Sequence, residues 1–531
     1  MDNAQSLASR PGRPTSRRRL HWIILAFVPS SLMLGFTTYL STSIPPIPLL
    51  WVIPLSIYLL TFILVFATRP IIPHTLMVRV FPMILLPAVL IIIAQATQPI
   101  WLLVLFQLVT FFVVAMVCHG ILAATRPAPA YLTEFYLWMS LGGVLGGAFN
   151  SLVAPVLFNS VLELPLVLSI ACLLLPKTAS VIDKRLSWWL DISLPAALGA
   201  LTVGLIFTMQ AAGLEQSQLR LALGFGIPAI ICFSFSRRPL RFALAVGMLF
   251  LASSFYTVEE QGRLLYSDRS FFGIHRVFLD RSGQYHLLVH GATVHGKQSL
   301  DPSRRREPLT YYHPQGPIGQ VFAALNSDVT KQRIAVVGLG AGSVACYSRP
   351  GQEWTFYEID PVVERIARDP RLFSFLQECN PEAQIVLGDA RLSLARAPDH
   401  FYDLIILDAY NSDSIPIHLM TREALALYRA KLAPGGIMAF HISNQYLDLH
   451  PVLSTLAQDD GLAYLIQNDT IFDHKLAMQG KDGSIWALVA RSPADFGILS
   501  NDPRWVPLSG PPGTPVWTDN FSSIFSVLRW H

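Results

Sequence analysis

The stretch RIAVVGLGAGSVACYSRPGQEWTFYEID, residues 333–360, decides how the rest of this chain is read. An apolar run, Ile334–Val337, ends in Gly338-Leu339-Gly340-Ala341-Gly342, and a second, Trp354–Tyr357, ends in Glu358. That order predicts a strand, a tight glycine turn, a helix, a second strand and an acid at its end. Glycines let the backbone approach a ligand closely, and an acid about 20 residues on can hold ribose hydroxyls. The third glycine follows one intervening residue rather than two, and Ser343 stands where a dinucleotide fingerprint has Gly or Ala. This spacing favours an adenosyl-sulfonium nucleoside over NAD.

Downstream, apolar runs and helical stretches alternate, as in an open parallel sheet. Further strands are expected at Gln384–Leu387, Leu404–Leu407, Ile437–Ile442, Ala463–Ile466 and Ser484–Val489. Helices are expected at Pro361–Arg368, Ala390–Ala397, Thr421–Leu432 and Leu447–Leu456. Ligands in such sheets bind beyond the carboxyl ends of the strands. Three acids stand there in series: Glu358, Asp389 after the third strand, and Asp408 closing the fourth. A single acid in such a place is commonly a helix cap, and Asp389 before Ala390 suits that role. Three in succession beside a glycine loop point to a nucleoside site.

Upstream, Ser270–Gly296 alternates apolar and polar residues around Arg281-Ser282-Gly283, the pattern of β-hairpins. Val277–Asp280 and Tyr285–Val289 are expected to pair. Asp301–Gly319 is a Pro- and Arg-rich loop leading to a helix near Gln320–Asn326.

The first half is of another kind. The 531 residues are 52% hydrophobic and 14% charged, averages over two unlike parts. No Asp, Glu, Lys or Arg occurs between Leu20 and Thr68, or between Arg79 and Arg126. Apolar stretches of that length read as membrane helices, at 22–41, 47–67, 77–96, 99–122, 131–155, 160–176, 187–210, 218–236 and 240–256. The net charge of +4 is small and partly sits at Arg10, Arg13, Arg17, Arg18 and Arg19, which suits a cytoplasmic N-terminus rather than nucleic-acid binding. Nine full spans would put the second half outside the cytoplasm, so segment 240–256 is expected to be re-entrant or interfacial. Leu141–Gly147 holds overlapping GxxxG pairs, expected to pack helices closely. The five cysteines show no ligand spacing and are expected to be free thiols, with no metal site.

The residues VVGLGAG, YEIDP, GDA and YDLIILDAYNSDSIP resemble the spermidine synthase branch of the S-adenosylmethionine-dependent methyltransferase fold. The resemblance covers about residues 270–490, and the arrangement with a membrane half resembles bacterial fused transporter–spermidine synthases. It implies a polytopic α-helical membrane domain followed by an α/β doubly wound, methyltransferase-like Rossmann domain with a small N-terminal β-subdomain. The expected boundaries are a disordered basic tail at 1–19, membrane helices at 20–257, a β-hairpin subdomain and gating loop at 258–326, and the nucleoside-binding domain at 327–531.

By the same resemblance Gly338, Gly340 and Gly342 form the cofactor loop, Glu358 binds the ribose and Asp389 the adenine amino group. Asp408 is the catalytic carboxylate, and Tyr312, His313, His295 and Asp413 meet the amine. The departures concern the amine half. Ala341 stands where the family usually carries an acid for the donor's ammonium. Asp408 and Asp413 are widely spaced, Tyr312-His313-Pro314 lacks the family's glutamate, and His295 replaces a glutamine. The expectation is a multi-pass protein of the inner (cytoplasmic) membrane, with its soluble half in the cytoplasm. It transfers an aminopropyl group from decarboxylated S-adenosylmethionine to a small-molecule amine. The alternatives are a methyltransferase using S-adenosylmethionine, or a transporter or sensor whose soluble half binds the nucleoside without turnover. The expected partners are the amine and the lipid bilayer, with a homo-oligomer left open.

Overall fold

The computed structural model describes residues 13–43, 51–69, 71–96, 98–176, 184–212, 217–256, 262–291, 293–409, 416–444, 447–471, 473–507, 510 and 513–529. The chain forms two compact units that divide after residue 258.

The first unit is helical. Five of its helices are long and apolar enough to cross a membrane: Ser16–Leu40, His74–Ala94, Ile100–Ala124, Pro129–Leu157 and Trp188–Ala211. Shorter apolar helices occupy Val52–Phe66, Glu163–Leu173, Leu219–Ser234 and Pro239–Ser253, so each expected segment falls on a helix. The first begins at Ser16, inside the tail expected to be disordered through residue 19. Its arginines have partners: Arg18 lies over the Trp22 ring and Arg19 Nε is 2.5 Å from Glu134 Oε1. Residues 1–12 lie outside the described residues.

Segment 240–256, expected to be re-entrant or interfacial, falls on one of the shorter apolar helices and not on one of the five long enough to cross a membrane. Helix Pro239–Ser253 is continuous, and Phe242, Ala245, Val246 and Leu249 are fully buried in the core of the unit. Leu240, Leu244 and Leu251 are exposed.

One of the two GxxxG pairs, Gly142 and Gly146, packs helices closely. A Cβ on Gly142 would lie 2.4 Å from the Ile23 carbonyl oxygen, and one on Gly146 would lie 2.5 Å from that of Phe27. Only glycine admits the first helix this closely.

The second unit holds two sheets. Strands β1 (Arg263–Ser270), β2 (Gly273–Leu279), β3 (Tyr285–His290) and β4 (Thr293–Ser299) form an antiparallel meander. The expected hairpin is its centre: the Asp280 carboxylate accepts from the backbone of Gln284 and Tyr285 at 2.8 Å and closes the turn.

The larger sheet contains β5 (Arg333–Val337), β6 (Glu353–Glu358), β7 (Gln384–Leu387), β8 (Tyr402–Leu407), β9 (Leu432–His441), β10 (Ala463–Asp469) and β11 (Ser484–Ala490), in the order β10-β11-β9-β8-β5-β6-β7. Strands β5 to β9 are parallel, and β11 pairs antiparallel with both β9 and β10. Central strands read as unbroken apolar runs because both faces are covered. Ala335 and Val337 face one core while Ile334 and Val336 face the other. Chain order reverses at β5, which has β6 on one side and β8 on the other. A crevice at such a switch point is where α/β sheets bind ligands.

Two expectations fail beside the glycine turn. The expected helix after it is a five-residue 3₁₀ segment, Ser343–Tyr347. Pro350 offers no backbone N–H, and Gly351, at φ +86°, turns the chain straight into β6. The cysteines are not all free. Cys346 and Cys379 form a disulfide, while Cys118, Cys172 and Cys232 are buried free thiols. The pair is 33 residues apart in sequence, and only the fold brings the Cα atoms to 4.8 Å.

Replacing Gly146 with Leu drives a side chain into the Phe27 carbonyl, whereas a Cβ on Gly147 meets nothing within 4 Å. Gly146→Leu is expected to cost about 1–3 kcal/mol, the usual price of overpacking. In thermal unfolding in detergent its midpoint should fall while that of Gly147→Leu stays put. Equal midpoints would show that the two helices do not depend on this contact.

Candidate active site

The site starts where β5 ends. Gly338 adopts φ +100°, and a Cβ there would lie 2.3 Å from the Asp408 carbonyl oxygen, so no other residue fits. Its N–H donates to the Tyr357 carbonyl at 2.9 Å. The next N–H, of Leu339, donates to Glu358 Oε2 at 2.9 Å, and the N–H of Asp360 donates to Oε1 at 2.9 Å. Glu358 is thus aimed by backbone on both oxygens, and each keeps a lone pair for a ligand hydroxyl. Burial pushes its carboxyl above the usual range, and the two backbone N–H groups partly oppose that shift.

Asp360 caps helix Pro361–Arg368 by accepting from Val362 N at 2.8 Å. It also accepts from Ser270 Oγ at 2.5 Å and faces His275 Nε2 at 2.9 Å, which ties β1 and β2 to the glycine loop. Burial pushes Asp360 up, but these bonds outweigh it and hold the carboxyl below its usual range. Asp389 caps helix Ala390–Ala395 through Leu392 N at 2.9 Å. Its other oxygen lies 3.6 Å from His418 Nε2.

Asp408 follows β8. Tyr312 OH donates to its Oδ2 at 2.5 Å, and His441 Nδ1 lies 2.7 Å from its Oδ1. Glu358, Asp389 and Asp408 all line one cavity of about 360 Å³, with Gly338, Gly340, Tyr312 and His295. Of the other expected site residues, Gly342 lies outside the lining and packs its backbone near Leu376. His313 is also outside it: its Nδ1 accepts from Gln315 N at 3.2 Å and its Nε2 lies 3.9 Å from Glu307. Asp413 lies outside the described residues.

Sequence reasoning named His295 but missed His275 and His290. His275 and His290 line the cavity with ring centroids 4.4 Å apart, and His290 and His295 follow at 5.8 Å. Burial lowers His290 to about 4 and His295 to about 3, and neighbouring histidines push the same way. His290 and His295 are therefore neutral at pH 7. His295 Nε2 is buried with no hydrogen-bond partner among the described residues. The alternation of His286, His290 and His295 through a hairpin was visible, but nothing in it marked which rings would face inward.

Ala341 is 1% exposed and touches the apolar cluster of Val277, Leu288, Val362 and Phe375. A Cβ on Gly296 of β4 would lie 2.4 Å from the Ala341 Cβ. The meander thus closes directly on the loop, and a longer side chain at 341 would have to displace β4.

No family model matches the chain. It is 35% identical over 153 residues to a polyamine aminopropyltransferase from Vibrio vulnificus (strain CMCP6). That match covers 28% of this chain and 48% of the relative. The chain spans about half the length of this curated relative. Among solved structures it is similar to a probable spermidine synthase from Corynebacterium glutamicum, with 17% identity and a TM-score of 0.33 over 43% of this chain and 80% of that one. It is also similar to a S-adenosylmethionine-dependent methyltransferase from Archaeoglobus fulgidus, with 15% identity and a TM-score of 0.23 over 34% of this chain and 97% of that one.

The neutral histidines set a pH dependence. Below their ordinary value of 6.5 the unfolded chain binds protons that folded His290 and His295 refuse until about 4 and about 3. Stability is therefore full above about pH 6.5 and falls as the pH drops toward 4. The thermal midpoint of the parent should drop more from pH 7 to pH 5 than that of His290→Gln. Equal drops would mean that the folded protein does not hold His290 neutral.

Proposed function

We propose that the second unit transfers an aminopropyl group from decarboxylated S-adenosylmethionine to a small amine, and that the helical unit anchors it in a lipid bilayer. The observation that carries this reading is the Asp408 carboxylate, held by two side chains at the switch point of the sheet. It shares a cavity with the two acids suited to a nucleoside. The curated relative, a polyamine aminopropyltransferase, supports the same class of reaction.

The chemistry follows from that placement. The donor's sulfonium already activates its aminopropyl carbon, so the protein has to position a neutral amine in line with the carbon–sulfur bond. The amine lone pair forms the new carbon–nitrogen bond, the carbon–sulfur electrons return to sulfur, and methylthioadenosine leaves. Asp408 accepts the proton released by the amine. Glu358 holds the ribose hydroxyls and Asp389 takes the adenine amino group. Tyr312, bound to Asp408, borders the amine, and the unpartnered His295 Nε2 offers it a neutral contact.

A methyltransferase is the second reading, favoured by Ala341. With β4 closed on this position, no acid stands there to hold the ammonium of a decarboxylated donor. The released thioether separates the two. Methylthioadenosine is the product of aminopropyl transfer and S-adenosylhomocysteine that of methyl transfer.

Incubating the detergent-solubilised protein with each donor and an amine should release methylthioadenosine. Asp408→Asn should cut that turnover by about 10²–10⁴-fold with nucleoside affinity nearly intact. Glu358→Ala should instead weaken methylthioadenosine binding by about 2 kcal/mol. S-adenosylhomocysteine as the sole product would replace the first reading with the second, and full activity of Asp408→Asn would remove the carboxylate from the chemistry.

A further inference from the structure

We infer that His441 is a positioning residue for Asp408, an inference that rests on the catalytic reading of that carboxylate. His441 is the last residue of β9, the strand beside β8, so its side chain emerges next to the end of the strand that delivers Asp408. Its Nδ1 lies 2.7 Å from Asp408 Oδ1, and both side chains are buried, at 7% and 6% exposed. A carboxylate accepts and cannot donate, so the short contact assigns the proton to Nδ1. Tyr312 OH donates to the other oxygen at 2.5 Å. With one donor on each oxygen, the carboxylate cannot turn about its Cβ–Cγ bond without breaking a hydrogen bond. The remaining lone pairs are left for the cavity.

The imidazole is itself held. Its ring lies between Tyr311, at 4.5 Å between centroids and 23° between planes, and Trp486, at 4.8 Å and 22°. Trp486 sits opposite His441 in the β9–β11 register and is fully buried, so this wall is part of the sheet. Tyr311 adjoins Tyr312, so the loop that supplies one donor to Asp408 also fixes the ring that supplies the other. His441 does not line the cavity. It acts on the substrate only through Asp408.

This arrangement prepays orientation. A base that must accept a proton during attack works best when its free lone pair already points at the nitrogen, and small misplacements of such groups cost rate. Removing the Nδ1–H while keeping the ring should lower turnover without touching the nucleoside contacts, which lie on β6 and after β7.

The test uses the full-length protein in detergent with decarboxylated S-adenosylmethionine and an amine. His441→Phe keeps a ring between Tyr311 and Trp486 but has no donor, and kcat is expected to fall by about 10²-fold. The donor KM and the affinity for methylthioadenosine should stay within about twofold, the uniform binding being intact. His441→Asn, whose amide can donate toward Oδ1, should recover to within about tenfold of the parent. A purely structural role would give the reverse, with Phe active and Asn impaired, and would overturn the inference. Asp408→Asn is measured in parallel. If it abolishes turnover while His441→Phe keeps full kcat, this inference falls and the catalytic reading stands. If Asp408→Asn is fully active, the catalytic reading falls and takes the inference with it.

Discussion

The contact between Gly338 and the backbone of Asp408 holds the two halves of the site together. β5 and β8 are neighbours, and where they end the chain must turn away from both without leaving a gap. Asp408 N donates to Val337 O at 2.9 Å, so the carboxylate that leaves β8 is tied to the residue just before the glycine turn. A side chain at 338 would push these strand ends apart by the width of a methyl group. The same turn presents the Leu339 N–H to Glu358. One backbone conformation therefore sets the spacing between Glu358 and Asp408, which is the distance the proposed sulfonium nucleoside has to span.

The three acids are fixed by different means, and the means decide what each can do. Glu358 is gripped by backbone N–H groups and Asp389 by the helix it caps, so both are static acceptors suited to a ligand's hydroxyl and amino groups. Asp408 is gripped by two ionisable side chains that come from a loop and from a third strand. Its partners can exchange hydrogen bonds as a proton arrives, which backbone amides cannot do. On the proposed reading, the site separates binding from proton transfer by the kind of donor supplied to each carboxylate.

This division also explains what was legible in the sequence. Glu358 and Asp389 depend on neighbours within a few residues or one strand–turn–strand unit, so spacing and strand ends revealed them. The parallel strands were legible as apolar runs because both faces are buried. His441 is 33 residues from Asp408 and Tyr312 is 96 away, and no local pattern joins them. One signal was present: β9 closes on a titratable residue, as β6 does, but a histidine there does not stand out as an acid does. The Cys346–Cys379 bond was hidden for the same reason. The packing of helix Pro239–Ser253 was hidden too, because length and flanking arginines do not show that Phe242, Ala245, Val246 and Leu249 are fully buried.

The meander ties the altered amine half to the fold. In packing Gly296 against Ala341, β4 fills the space a carboxylate would need and places His295 in the cavity wall instead. His290 and His275 continue that wall toward Asp360, whose charge is already shared with His275 and Ser270. Along this wall His290 and His295 present neutral rings to the cavity. The acidic side chains of the cavity, Glu358, Asp360, Asp389 and Asp408, come instead from the ends of the parallel strands. On the proposed reading, a substrate lying along His290 and His295 is held there by shape and neutral hydrogen bonds, and the charged contacts are left to the strand ends.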